Sequence, residues 1–137
     1  MRIIRKTKKN ESGQSLIEFA LILPILLMLV MGIVEFGWII MAKVTVNNAA
    51  REVVRAYVVG APSDMAIDRG VELIDHLTLN GVSKENYKNQ IVITPDNPSI
   101  GDKITVTITG DIKPLIGLYV GPTSINTTAH MRMENLP

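Results

Sequence analysis

Residues 19–42 read FALILPILLMLVMGIVEFGWIIMA, and the fold turns on what this stretch can be. Its first sixteen residues, Phe19–Val34, carry no charge, and Glu35 is the only acid in the whole of it. As a helix rising ~1.5 Å per residue, the 24 residues extend for ~36 Å. A hydrocarbon core of ~30 Å needs ~20 residues, so the length suits a single membrane span. Trp38 stands where an interfacial aromatic belongs. The alternative is a buried core helix, but the remaining chain is too small to cover such a helix on all sides. Pro24 removes one helical hydrogen bond, a loss that spanning helices tolerate.

The charges around this stretch set its direction. Arg2, Arg5, Lys6, Lys8 and Lys9 place five of the chain's 14 basic residues in the first nine positions, and Glu11 is the only acid before Gly13. Lys43, Arg51 and Arg55 follow the stretch. The positive-inside bias then predicts a cytoplasmic N-terminus, with everything after Ala42 outside. A cleaved secretory signal peptide competes with this reading, but its apolar region is normally ~7–15 residues and ends at a small-x-small site. Here the run is longer, contains Glu35 and meets no A-x-A. Without residues 1–13 the remaining chain carries a net charge of −3 in place of +1, so the pI near 8.0 describes only the full chain.

Beyond the apolar run the helix is expected to continue, over roughly 15–59 in all. Lys43, Asn47, Arg51 and Arg55 recur every four residues as a polar stripe. Val46, Ala50, Val53 and Tyr57, joined by Val54 and Val58, form an apolar stripe beside it. Gly60, Ala61 and Pro62 end the pattern. Ser63 or Asp64 suits the cap of a second helix with Ile67, Val71, Leu73, Ile74 and Leu77 as apolar positions, stopped by Asn80-Gly81. Gly70 weakens that helix by up to ~1 kcal/mol relative to alanine. Three strands follow from alternation: Gln90–Thr94, Lys103–Thr109 and Ser124–Met133. In the second, Ile104, Val106 and Ile108 face one way and threonines the other. Asp111–Gly121, with Leu115, Ile116, Leu118 and Tyr119, is either a short helix or an apolar loop lying on the sheet. The fold class is therefore α+β: a long N-terminal transmembrane helix extending into a small exported domain with a second helix and a three-stranded antiparallel sheet. The organisation expected is a basic leader (1–13), a transmembrane and amphipathic helix (14–59) and an exported domain (60–137).

Composition narrows the function classes. The chain of 137 residues has room for one modest domain. Hydrophobic residues make up 47% and charged residues 20%, with a mean hydropathy of +0.25, so apolar residues are concentrated locally. There are no cysteines, which excludes a disulfide scaffold, a thiol enzyme and cysteine-based metal sites. Two histidines do not make a histidine-rich metal site, and a net charge of +1 argues against a nucleic-acid-binding face. No nucleophile–base or metal constellation is present, so no catalytic residue, metal site or cofactor is assigned.

Two carboxylates, Glu18 and Glu35, interrupt apolar sequence. They are 17 residues apart. On one helix that is ~25 Å along the axis and ~260° around it, so they cannot pair within the chain. Glu35 is expected near the outer headgroups, where water can solvate it. Glu18, an ionisable residue at the edge of a span, points to function.

The setting of Glu18 is Gly13-Gln14-Ser15-Leu16-Ile17-Glu18-Phe19, between a basic tail and a long apolar helix. This resembles the class III signal of type IV prepilins. The resemblance implies cleavage after Gly13 by a membrane aspartyl peptidase on the cytoplasmic side. Glu18 would then be the fifth residue of the mature chain and meet the N-terminal amine of a neighbouring subunit. Two charges in a low-dielectric bundle are stable only when paired. The first mature residue would be Gln14, where better-known pilins carry phenylalanine or methionine.

The stretch GQSLIEFALILPILLMLVMGIVEFG, followed by AAREVVRAYVVG at Ala49–Gly60, resembles the TadE-like family of minor pilins or pseudopilins from tight-adherence (Flp) pilus systems. Residues 103–134 resemble it more loosely, and residues 61–100 carry no family signal. Major Flp pilins are much shorter, so the resemblance implies an accessory subunit that assembles into or primes the pilus. It also implies the partners: other pilin subunits, a prepilin peptidase, the inner-membrane assembly platform and the lipid bilayer. Glu18, Phe19, Pro24 and Glu35 are the residues assigned to assembly, Gly13 and Gln14 the cleavage site, and Arg51 and Arg55 a stripe for a partner helix or anionic headgroups. The runner-up is an uncleaved single-pass scaffold protein of an envelope complex.

Other features carry less. His76 and His130 lack ligand-spaced partners and read as solvent-edge residues. Asp96, Asn97 and Asp102 lack the spacing of a calcium loop and read as turns. Asn126-Thr127-Thr128 fits a glycosylation sequon, but within a strand.

Overall fold

The computed structural model describes residues 11–75, 89–96, 98–117 and 121–133. Its layout is α+β: a long apolar helix α1 (Glu11–Val58), a second helix α2 (Ser63–Asp75), and strands β1 (Ile91–Thr94), β2 (Lys103–Ile112) and β3 (Thr123–Arg132). The chain divides into two units, the first ending at Val34 and the second beginning at Glu35. Leu77, His76, Asn80-Gly81, Asn97, Leu118 and Tyr119 lie outside the described residues, as does the basic tail over 1–10.

In the first unit, α1 runs unbroken through Pro24. Every residue from Gly13 to Val34 is exposed except the half-buried Gly32. None of its most apolar 18-residue window is buried within the chain, which separates it from the core helix of a soluble protein. Contiguous apolar surface on this scale marks a site of contact with lipid or another protein.

The second unit has its own core, and the second half of α1 supplies one wall of it. Ile39, Ala42, Val46, Ala49, Ala50, Val53, Val54 and Val58 are buried, while Lys43, Asn47, Arg51 and Arg55 are exposed, as the two stripes predict. The helix ends in a Schellman motif. Gly60, at φ 94°, donates to the Tyr57 carbonyl at 3.0 Å, and Ala61 donates to the Ala56 carbonyl at 3.1 Å. Only glycine adopts such a φ without strain. The Pro62 carbonyl accepts from Ala66 at 3.0 Å, so α2 starts at once.

The sheet is an antiparallel meander in the order β1-β2-β3. Its register puts Ile93 opposite Val106 and Val106 opposite Ala129, so one row of buried side chains crosses all three strands. Ile104 and Ile108 share that face, and Thr105 and Thr107 lie half-buried on the other. β2 runs three residues beyond the expected Thr109, since Ile112, also buried, continues the period of two through Gly110. At the other end Asp102 turns the chain into β2. Its carboxylate accepts from the Ser99 amide at 2.8 Å, and Met133 and Asp102 bond between backbones at 3.0 Å.

Gly70 has a reason that propensity does not reveal. It is buried on α2, and a Cβ there would collide with Val53 Cγ2 and stand 3.7 Å from the Ala49 carbonyl oxygen on α1. In an open helix, Gly70→Ala would gain up to ~1 kcal/mol. Here it should cost ~1–3 kcal/mol through overpacking, and Val53→Ala in the same chain should recover part of that loss. Thermal unfolding of the full chain, followed by fluorescence of the single tryptophan, Trp38, measures both.

Candidate functional site

The prepilin-like residues lie on the first turns of the described helix. Gly13, Gln14, Glu18, Phe19 and Pro24 are all exposed. One helical turn separates Gln14 from Glu18, and the Gln14 side-chain amide donates to Glu18 Oε1 at 3.3 Å. Glu18 is thus an accessible carboxylate on an otherwise apolar surface, with a single long bond to its own chain among those observed. A charge so placed is costly in a membrane and calls for a counter-charge.

Glu35 behaves differently from the solvated residue expected. Its relative exposure is 0%. Oε1 accepts from the Gly117 amide at 2.9 Å, and Oε2 is buried with no hydrogen-bond partner. The physical reason is positional. Glu35 begins the inward stripe that continues through Ile39, Ala42 and Val46, so its side chain points into the second unit. The segment after β2 closes over it. Its described part, residues 113–117, is a loop and not a helix, and it is tied to α1. The Trp38 indole N–H donates to the Lys113 carbonyl at 3.3 Å, while Leu115 and Ile116 project outward, 56% and 42% exposed. Gly117 takes φ 71° at the turn that aims its amide at the carboxylate. Sequence reasoning missed this pairing because its partner is a backbone N–H, which no side chain announces. The signal that was available is the stripe itself, extended back from Val46.

Arg51 and Arg55 are exposed on α1 and line a groove beside β3. His130 lies exposed on the same strand, and the sequon residues Asn126 and Thr128 are exposed on it too. The Asp96 carbonyl accepts from the Tyr57 hydroxyl at 2.9 Å, which fastens the loop after β1 to α1. Among the described residues no group of histidine, aspartate and glutamate side chains is arranged to hold a metal ion.

Residues 13–55 match the model of the TadE-like protein family, the family that the sequence resembles. The match begins at Gly13, ends at Arg55 and lies entirely on α1; it does not extend to residues 103–134. Neither a curated protein nor a solved structure matches the chain significantly.

The Glu35 contact yields a test. Glu35→Gln keeps an acceptor for the Gly117 N–H and removes a carboxylate whose second oxygen has no partner. Glu35→Met keeps the volume but orphans that N–H. Leaving such a donor unsatisfied costs ~1–3 kcal/mol. The Met variant is therefore expected to unfold at a lower temperature than the Gln variant, read by Trp38 fluorescence. The reverse order would show that the Gly117 bond does not hold this loop.

Proposed function

We propose that the protein is a minor pilin or pseudopilin that assembles into, or primes, a tight-adherence pilus after its leader is removed behind Gly13. The observation that carries this reading is the TadE-like match over residues 13–55, which starts at the proposed cleavage position and takes in Glu18. An apolar N-terminal helix together with this match fits a membrane-anchored, pilus-associated protein of structural kind.

The finer roles follow from charge and exposure. A prepilin peptidase would release the amine of Gln14 at the inner face of the membrane. The helix would remain in the bilayer with its N-terminus inside and the second unit outside. When the subunit joins a helical bundle, the new amine and Glu18 leave the headgroup water. Either charge alone at mid-membrane costs ~2.5–3.5 kcal/mol. Pairing Glu18 with the amine of a neighbouring subunit offsets that cost and fixes the axial offset between the two. Phe19 and Pro24, exposed on the same segment, belong to the surface that neighbouring pilins would cover. Glu35 is turned into its own chain, so it does not compete for that amine. Its proposed part in assembly is to hold the loop over 113–117 against α1.

Two variants test this in the native host. Gly13→Leu should leave a chain that retains residues 1–13, whereas intact-mass analysis of the parent should find Gln14 first. Glu18→Gln should insert and be cleaved normally yet be recovered with sheared pili at about one-tenth of the parent level or less, a loss corresponding to ~1.4 kcal/mol. A parent chain that keeps residues 1–13 would instead support the uncleaved membrane scaffold. Normal incorporation of the Glu18 variant would remove the pairing role.

A further inference from the structure

β3 is an edge strand. It pairs with β2 along its ten residues, Thr123–Arg132, and among the described residues no strand lies on its other side. Such an edge presents a row of unpaired N–H and C=O groups and is a template for another chain.

The space beside that edge has a defined wall. A hollow of about 540 Å³ lies between Asn47–Arg55 on α1 and Thr128–Met131 on β3. A second, of about 440 Å³, lies between Lys43 and Asn47 on α1 and Ser124–Thr128 on β3. Both include Asn47 and Thr128, so they form one groove in which the numbering of helix and strand rises in the same direction. Lys43, Arg51 and Arg55 supply its charge, and all three are exposed. Glu52, half-buried, is the acid in the groove's lining.

The spacing of these groups suits a strand. Residues four apart on a helix are separated by ~6 Å along its axis, and alternate residues of a strand by ~6.7 Å. A segment of ~6 residues spans the ~18 Å from Lys43 to Arg55. We infer that the groove between β3 and the Lys43–Asn47–Arg51–Arg55 stripe takes an extended segment of a partner protein that carries Glu or Asp at alternate positions. The segment adds a fourth strand to the sheet through backbone hydrogen bonds to β3. Its alternate acidic side chains face the stripe. Backbone pairing gives affinity, and the row of cations selects the partner. This inference is independent of the leader and of Glu18.

The test uses the full chain in nanodiscs of phosphatidylcholine, with three fluorescein-labelled ten-residue peptides. One alternates Glu and Val, one alternates Lys and Val, and the third is the Glu/Val peptide with its central valine replaced by proline. Fluorescence anisotropy reads affinity, and hydrogen exchange reads protection of the β3 amides. The Glu/Val peptide is expected to bind and to slow β3 exchange. The proline peptide should bind about tenfold more weakly, because proline removes a donor and breaks the ladder. Combined Arg51→Glu and Arg55→Glu should weaken the Glu/Val peptide about tenfold and bring in the Lys/Val peptide, the latter also showing that the variant is folded. Equal binding of the proline peptide would reduce the groove to a charged patch and overturn strand addition. Unchanged Glu/Val binding by the double variant would place the site elsewhere. Protection of β3 without peptide that rises with protein concentration would make a second copy of this chain the occupant. Loss of peptide binding in phosphatidylglycerol nanodiscs would assign the stripe to the lipid surface. Either of these last two results overturns the partner-strand assignment.

Discussion

The steps of four and three residues that lead from Glu35 through Ile39, Ala42, Val46, Ala49 and Val53 to Ala56 govern the second unit. They keep one face of α1 pointed inward over six turns. Alanine recurs along that face, so a neighbouring backbone can approach closely. Gly70 of α2 does so against Val53 and Ala49. The sheet answers with branched side chains, Ile93, Ile104, Val106 and Ile108, which fill the space that small helix residues leave. The same geometry puts Lys43, Asn47, Arg51 and Arg55 on the outside, next to the β3 edge.

How much of this was legible depended on whether a residue's environment is local. The apolar run at 19–34, the amphipathic stripes of α1 and the alternation of β2 and β3 all arise from periodicity, and periodicity is carried within each segment. The stop at Gly60-Ala61-Pro62 was equally local. The environments of Glu35 and Gly70 were not. Each depends on an element distant in sequence: the loop at 113–117 for Glu35 and α1 for Gly70. A helix propensity scale marks Gly70 as a weakness because it knows nothing of the second helix. The end of β2 fell between these cases. Ile112 continues the pattern, but Gly110 removes one apolar mark from it. The prepilin-like residues were legible as a motif, and the part proposed for them lies between subunits, beyond any single chain.

Glu18 and Glu35 show how one residue type takes opposite parts on one helix. Glu18 is exposed on apolar surface and accepts from the Gln14 side chain four residues before it. Glu35 is enclosed and committed to a backbone amide of its own chain. The buried, unsatisfied Oε2 of Glu35 shows that even this fastening is incomplete, and its cost must be met by the packing around it.

The clasp between Glu35 and Gly117 also bears on how much of α1 a bilayer could take. By composition alone, the run Phe19–Ala42 is ~36 Å long as a helix and would tilt to fit a hydrocarbon core of ~30 Å. The second unit claims the residues from Glu35 onward, through the bonds of Glu35 to Gly117 and Trp38 to Lys113. On the membrane-spanning reading, those residues are committed to the second unit, which leaves the turns up to Val34 to meet lipid.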